Sequence, residues 1–161
     1  MPNLIFMYGF PASGKTTYAR NLAAKSENTV YLAADEIRRE LYGSQDHFGD
    51  AEEIYQILLQ RMQDYIIAGH NVVYDACNLY KQFRMDYLDP IAKANIQCQK
   101  TIICMATPKE TCLVNHAGRD RHFDINTIMH YFDLKEYPDF SEGWDKIITV
   151  TNYTDHTEVR S

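Results

Sequence analysis

Three short groups of residues in this chain have the types and spacing to do chemistry. The first, Gly9-Phe10-Pro11-Ala12-Ser13-Gly14-Lys15-Thr16, satisfies G-x-x-x-x-G-K-[ST]. Glycines at those positions let backbone N–H groups turn inward around phosphate oxygens, a following helix N-terminus adds partial positive charge, and the lysine reaches the β and γ phosphates. The predicted cradle is Gly9, Pro11, Ala12, Ser13, Gly14, Lys15, Thr16 and Thr17, with Lys15 also catalytic and the Thr16 hydroxyl a magnesium ligand. ATP and Mg2+ are the cofactors this implies.

The second group is Asp75, which follows the apolar run Asn71-Val72-Val73-Tyr74. A carboxylate placed there orients magnesium through water beside the loop or ties down Thr16, the alternative being a strand-end Asp that caps a turn with Asn78. The third is Asp35-Glu36-Ile37-Arg38. Residues three apart on a helix project to the same side, so Asp35 would accept an alcohol proton while Arg38 clamps an anionic part of the acceptor. An N-cap Asp on a solvated helix, with Arg39 and Glu40 alongside, fits those residues as well. Further along, Arg119-Asp120-Arg121-His122 offers two guanidiniums able to neutralise charge on a triphosphate during transfer, or else forms a solvated basic loop.

These groups need strands and helices to position them. Leu4 to Tyr8 reads as a buried strand, Thr16 to Lys25 as an Ala-rich helix, and Thr29 to Leu32 and Asn71 to Tyr74 as short β-branched strands. Asp50-Ala51-Glu52-Glu53 opens a long helix whose Ile54, Ile57, Leu58, Met62, Tyr65 and Ile66 share a face, and Gly69 ends it. A helix from Lys81 to Ala94 should bury Phe83, Tyr87, Leu88 and Ile91, with Pro90 kinking it. Lys100 to Met105 and Ile147 to Val150 read as strands. Thr107-Pro108-Lys109-Glu110 starts another helix with Thr107 as its cap, and a further helix is expected from Asp124 to Lys135. Such alternation predicts an α/β fold with a parallel sheet covered on both faces.

The 161 residues make one domain, 1–151, with 152–161 expected as a flexible polar tail. Hydrophobic residues at 45% and charged residues at 24% exclude a disordered or fibrous chain. The apolar stretch Leu4 to Phe10 is far shorter than the ~20 residues of a membrane span, and Met1-Pro2-Asn3 has no basic start for a signal peptide, so a cytoplasmic location without membrane partners is expected. A net charge of −6 disfavours indiscriminate binding to nucleic-acid backbone and requires any polyanion to meet a local basic patch, for which Arg39, Lys81 and Arg84 are candidates, although ordinary exposed helix charge accounts for them better. Cys77, Cys98, Cys104 and Cys112 lack CxxC spacing and read as reduced thiols.

Gly9 to Thr17, Asp35 through Arg38, and Asp75-Ala76-Cys77-Asn78 together resemble the kinase domain of the phage-type polynucleotide kinases, a P-loop kinase family, over nearly the whole chain. The resemblance implies a P-loop NTPase three-layer sandwich with a parallel five-stranded sheet and a helical lid. It implies transfer of the γ-phosphate of ATP to the 5′-hydroxyl end of a DNA or RNA, with Asp35 as general base, Arg38 on the acceptor, and Arg119 and Arg121 on the lid. Where that family's lid segment usually begins with an arginine, this chain has Asn115-His116. Pro138-Asp139-Phe140-Ser141-Glu142-Gly143-Trp144 is similar to a run of the related animal end-processing kinases, and a turn pinned by a buried Trp explains it equally. The alternatives are a P-loop kinase of a small alcohol (a nucleoside, an antibiotic hydroxyl or a sugar nucleotide) and a switch that hydrolyses ATP slowly.

Overall fold

Apolar runs too short for helices and amphipathic segments too long for strands alternate to build a six-stranded sheet flanked by helices. The computed structural model describes residues 1–44, 49–118, 125–151 and 154–160. The elements run β1 (Asn3–Tyr8), α1 (Lys15–Ala24), β2 (Thr29–Ala33), α2 (Ala34–Tyr42), α3 (Ala51–Ile67), β3 (Asn71–Asp75), α4 (Lys81–Lys93), β4 (Gln99–Met105), α5 (Lys109–Ala117), α6 (Ile125–Leu134), β5 (Lys146–Thr151) and β6 (Thr154–Val159). The sheet order is β2-β3-β1-β4-β5-β6. The first five strands are parallel, and β6 returns antiparallel to β5.

Alternation along the central strand explains the layering. Leu4, Phe6 and Tyr8 enter one core with Ile37 of α2, Leu58 and Met62 of α3, and Leu88 and Ile91 of α4. Met7 points the other way, into a smaller core with Ala19 of α1, Val73 and Ile103. Both faces of a parallel sheet are thereby covered, which is why its strands read as continuous apolar runs.

Several expectations from the sequence need correction. The sheet has six strands, not five, because the polar segment expected to be loose contains β6. Its residues Thr154-Asp155-His156-Thr157-Glu158-Val159 have no apolar stripe to announce a strand; main-chain pairing from Lys146↔Val159 to Thr151↔Thr154 makes one. The inward face of α4 begins at Arg84, which is fully buried with Tyr87, Leu88 and Ile91, whereas Phe83 is 55% exposed. Arg84 therefore contributes nothing to a basic surface. Thr107 does not cap α5; Pro108 occupies that position and the Thr107 hydroxyl is engaged elsewhere. The α3 cap is as expected, with Asp50 Oδ1 accepting from the N–H groups of Glu52 (2.9 Å) and Glu53 (3.4 Å).

Candidate active site

The carboxyl ends of β1, β2, β3 and β4 lie along one sheet edge, because the strands are parallel and in register: Phe6 opposite Tyr74, Ala33 opposite Asp75, and Tyr8 opposite Cys104. Residues just beyond those ends share one rim. There, Gly9 to Gly14 forms the loop between β1 and α1.

The loop is held by its surroundings. The Gly9 N–H donates to the Cys77 carbonyl at 3.1 Å, and the Ser13 N–H closes a turn onto the Phe10 carbonyl. The Thr107 hydroxyl donates to the Ser13 carbonyl at 2.6 Å, and the Asn115 amide donates to the Ala12 carbonyl at 3.1 Å. A side chain on Gly9 would meet Ser13 Oγ at 2.6 Å and Met105 Cβ at 3.2 Å, so a larger residue there must displace the Ser13 side chain. Ala12 at φ 64° and Gly14 at φ 90° take left-handed backbone, which curls the chain into the helix N-terminus at Lys15. On the opposite side of the loop the ring of Phe10 stacks on Phe132 of α6 at 3.7 Å. A cavity of about 280 Å³ in the bend is lined by Ala12 through Thr17 and Asn115. A second of about 780 Å³ adjoins it, between α1 (Tyr18, Asn21, Leu22) and the segment from Met105 to Pro108.

Asp75 ends β3 with its carboxylate turned to this loop. Its Oδ2 accepts from the Thr16 hydroxyl at 2.7 Å and from the Tyr31 hydroxyl at 2.5 Å. Its Oδ1 is buried and has no hydrogen-bond partner among the described residues. Asp75 does not cap a turn with Asn78, whose buried amide instead reaches the Met7 carbonyl of β1 at 2.7 Å. Hard oxygen donors on Thr16 and Asp75, one of them without a partner, suit a magnesium ion that takes most of its ligands from water and phosphate. Among the described residues no three His, Cys, Asp or Glu side chains cluster to hold a metal by themselves. Burial first, and then the bond to Asp75, pushes the Tyr31 phenol well above its ordinary value, so it remains a donor at neutral pH. Burial likewise pushes the Cys104 thiol up to about 12, and all four cysteines are free.

Asp35 and Arg38 meet on the first turns of α2, with Arg38 Nη1 donating to Asp35 Oδ1 at 3.0 Å. Asp35 remains 39% exposed at its side chain and Arg38 19%, so the pair faces an accessible surface. Arg119 and Arg121 lie outside the described residues. Sequence reasoning missed Tyr31, Thr107 and Asn115 as parts of the site. Tyr31 and Asp75 share a sheet face only in the register Tyr31↔Val73, and Thr107 and Asn115 reach the loop from 94 and 103 residues away.

Residues 4–132 match the family described as AAA domain. The chain belongs to this family. No curated protein matches this AAA domain, but solved structures share its fold. A chain of the Pnkp1/Rnl/Hen1 RNA repair complex superposes with a TM-score of 0.69 at 19% identity, over 82% of this chain and 43% of that one. A fungal RNA kinase gives 0.66 at 14% identity, over 93% and 38%. A sugar kinase from Janibacter sp. gives 0.61 at 16% identity, over 93% and 84%. The AAA domain thus spans about two fifths of the two RNA-related chains, and its fold is that of the P-loop kinases. Among the described residues no helix is long and apolar enough to cross a membrane.

Proposed function

We propose that this AAA domain is an ATP- and magnesium-dependent kinase that phosphorylates the 5′-hydroxyl end of a nucleic acid. The observation carrying the reading is the Asp35–Arg38 pair, a carboxylate and a guanidinium 3.0 Å apart just beyond the carboxyl end of β2, on the sheet rim that also carries the phosphate loop. Such a pair serves an acceptor that has both a hydroxyl to deprotonate and a neighbouring phosphate to hold. The fungal RNA kinase and the RNA repair chain, which share the fold, support it as analogy.

In this reading the acceptor oxygen forms a bond to the γ-phosphorus in line with the breaking bond to the β-phosphate oxygen, and ADP leaves. Asp35 takes the hydroxyl proton. Lys15 and the N-terminal end of α1 would neutralise the transferred charge, and Arg119 and Arg121 are assigned to the same task. Thr16 would hold magnesium directly and Asp75 through water, and the ion would supply positive charge to the phosphate oxygens. Arg38 grips the phosphate next to the reacting end.

A γ-labelled ATP transfer assay against 5′-hydroxyl oligonucleotides, nucleosides and sugars tests the reading directly. Label on the oligonucleotides is expected, and label on sugars alone would replace it with the small-alcohol kinase, a reading favoured by the net charge of −6 and the Janibacter fold. Arg38→Ala should lower kcat/KM for oligonucleotides by roughly tenfold or more, in keeping with a charge-assisted contact, and spare slow ATP hydrolysis. Asp35→Asn should depress kcat by about 10²-fold with ATP affinity little changed, since a general base acts in the transition state. Near-wild-type kinetics in both variants would remove the nucleic-acid acceptor from consideration. Excess chelator should abolish transfer and added Mg2+ or Mn2+ restore it, as measured in the same assay; full activity in chelator contradicts the metal assignment.

A further inference from the structure

The Asp75 carboxylate carries two donors on one oxygen, and only one of them belongs to the phosphate loop. Thr16 Oγ1 donates from 2.7 Å and Tyr31 Oη from 2.5 Å, both to Oδ2. Two donors converging on one oxygen fix the plane of the carboxylate and turn Oδ1 inward, where it has no partner among the described residues. The Thr16 proton is committed to Asp75, which leaves the lone pairs of that hydroxyl directed away from the carboxylate. Thr16 is solvent-exposed, so those lone pairs are open to a cation.

Tyr31 is itself held. Its ring packs at the margin of the α1-side core, and the Arg20 guanidinium lies 4.5 Å over the ring centroid. Arg20 Nη2 also reaches Glu36 Oε1 at 3.2 Å, but that pair is exposed and contributes little. The fixed parts are the ring and its hydroxyl.

We propose that Tyr31 is a positioning residue for the metal-binding half of the site, holding Asp75 in the one orientation that points the Thr16 hydroxyl oxygen toward a phosphate-bound divalent cation. The inference rests on the proposed nucleotide and magnesium binding. Tyr31 lines neither of the two cavities described at the loop and would act through Asp75, as outer partners of metal ligands commonly do. Its hydroxyl therefore matters to nucleotide affinity only when the cation is present.

The test is titration calorimetry of a non-hydrolysable ATP analogue at a series of Mg2+ concentrations, on wild type, Tyr31→Phe, Asp75→Asn and the double variant. Tyr31→Phe keeps the ring and its contact with Arg20. It should raise the half-saturating Mg2+ by about tenfold or more, within the range usual for loss of such a partner, while affinity in chelator stays at the wild-type value. The double variant should be no worse than Asp75→Asn, because a residue acting through Asp75 has nothing left to orient. An unchanged magnesium dependence in Tyr31→Phe overturns the assignment, as does an equal loss in chelator or additive losses in the double variant. Absence of analogue binding to wild type overturns the nucleotide reading itself, and with it this one.

Discussion

Lys15→Ala should abolish phosphate transfer while leaving the fold intact. Lys15 is half-buried at the first position of α1, and its ammonium contributes to no core cluster. In the proposed reaction its charge acts on the β and γ phosphates as negative charge shifts between them, and preorganised groups of this kind are worth about 10²-fold or more in rate. Transfer to oligonucleotides should fall by at least that factor, while the melting temperature and circular dichroism spectrum match wild type. A folded variant with unchanged transfer would rule the loop out of the chemistry.

The largest stability effect should come from Arg84→Ala. Arg84 and Glu142 have side-chain exposures of 0% and 2% and are joined by two bonds, Nε to Oε2 at 2.8 Å and Nη2 to Oε1 at 2.6 Å. Arg84 Nη1 also donates to the carbonyls of Asn78 (2.8 Å) and Glu136 (3.0 Å), and the Trp144 indole N–H donates to Glu142 Oε2 at 2.8 Å. Removing the guanidinium leaves the buried Glu142 carboxylate with the Trp144 N–H but no countercharge, and takes the Arg84 donor from two carbonyls. Breaking one side of a buried pair costs about 3–5 kcal/mol. For a chain of this size that corresponds to a fall of roughly 6–20 °C in Tm. Differential scanning calorimetry reads it directly. Pairing Arg84→Met with Glu142→Leu should recover part of the loss, because an apolar pair carries no unpaired charge. A single variant melting within about 2 °C of wild type would mean that the pair is not the clamp its geometry describes, given that surface changes usually stay within ±0.5 kcal/mol.

The same network explains which parts of the molecule were legible in the sequence. The phosphate loop was, because its signal is local: glycines at fixed spacing between an apolar run and an Ala-rich helix. So were β1 to β5, which read as short apolar or β-branched runs, and α3, whose apolar residues recur at helical spacing behind the Asp50 cap. Arg84 was misplaced because a charged residue reads as surface until its partner is known, and Glu142 is 58 residues away. In the run from Pro138 to Trp144, Glu142 is buried and paired with Arg84, and the buried Trp144 donates to Glu142. β6 escaped because an edge strand needs no apolar face, only an available neighbour. Tyr31 escaped because its role depends on the register between β2 and β3, which no local pattern encodes.

The ties that hold the phosphate loop decide when its conformational entropy is lost. Ala12 sits in a backbone region that costs a non-glycine residue about 1 kcal/mol or more, and the bonds from Thr107 and Asn115 to the loop carbonyls hold the segment in that shape. Ordering of this segment therefore belongs to folding. A phosphate group arriving at the rim meets a receptor already shaped, so its binding energy is not diverted into arranging the loop.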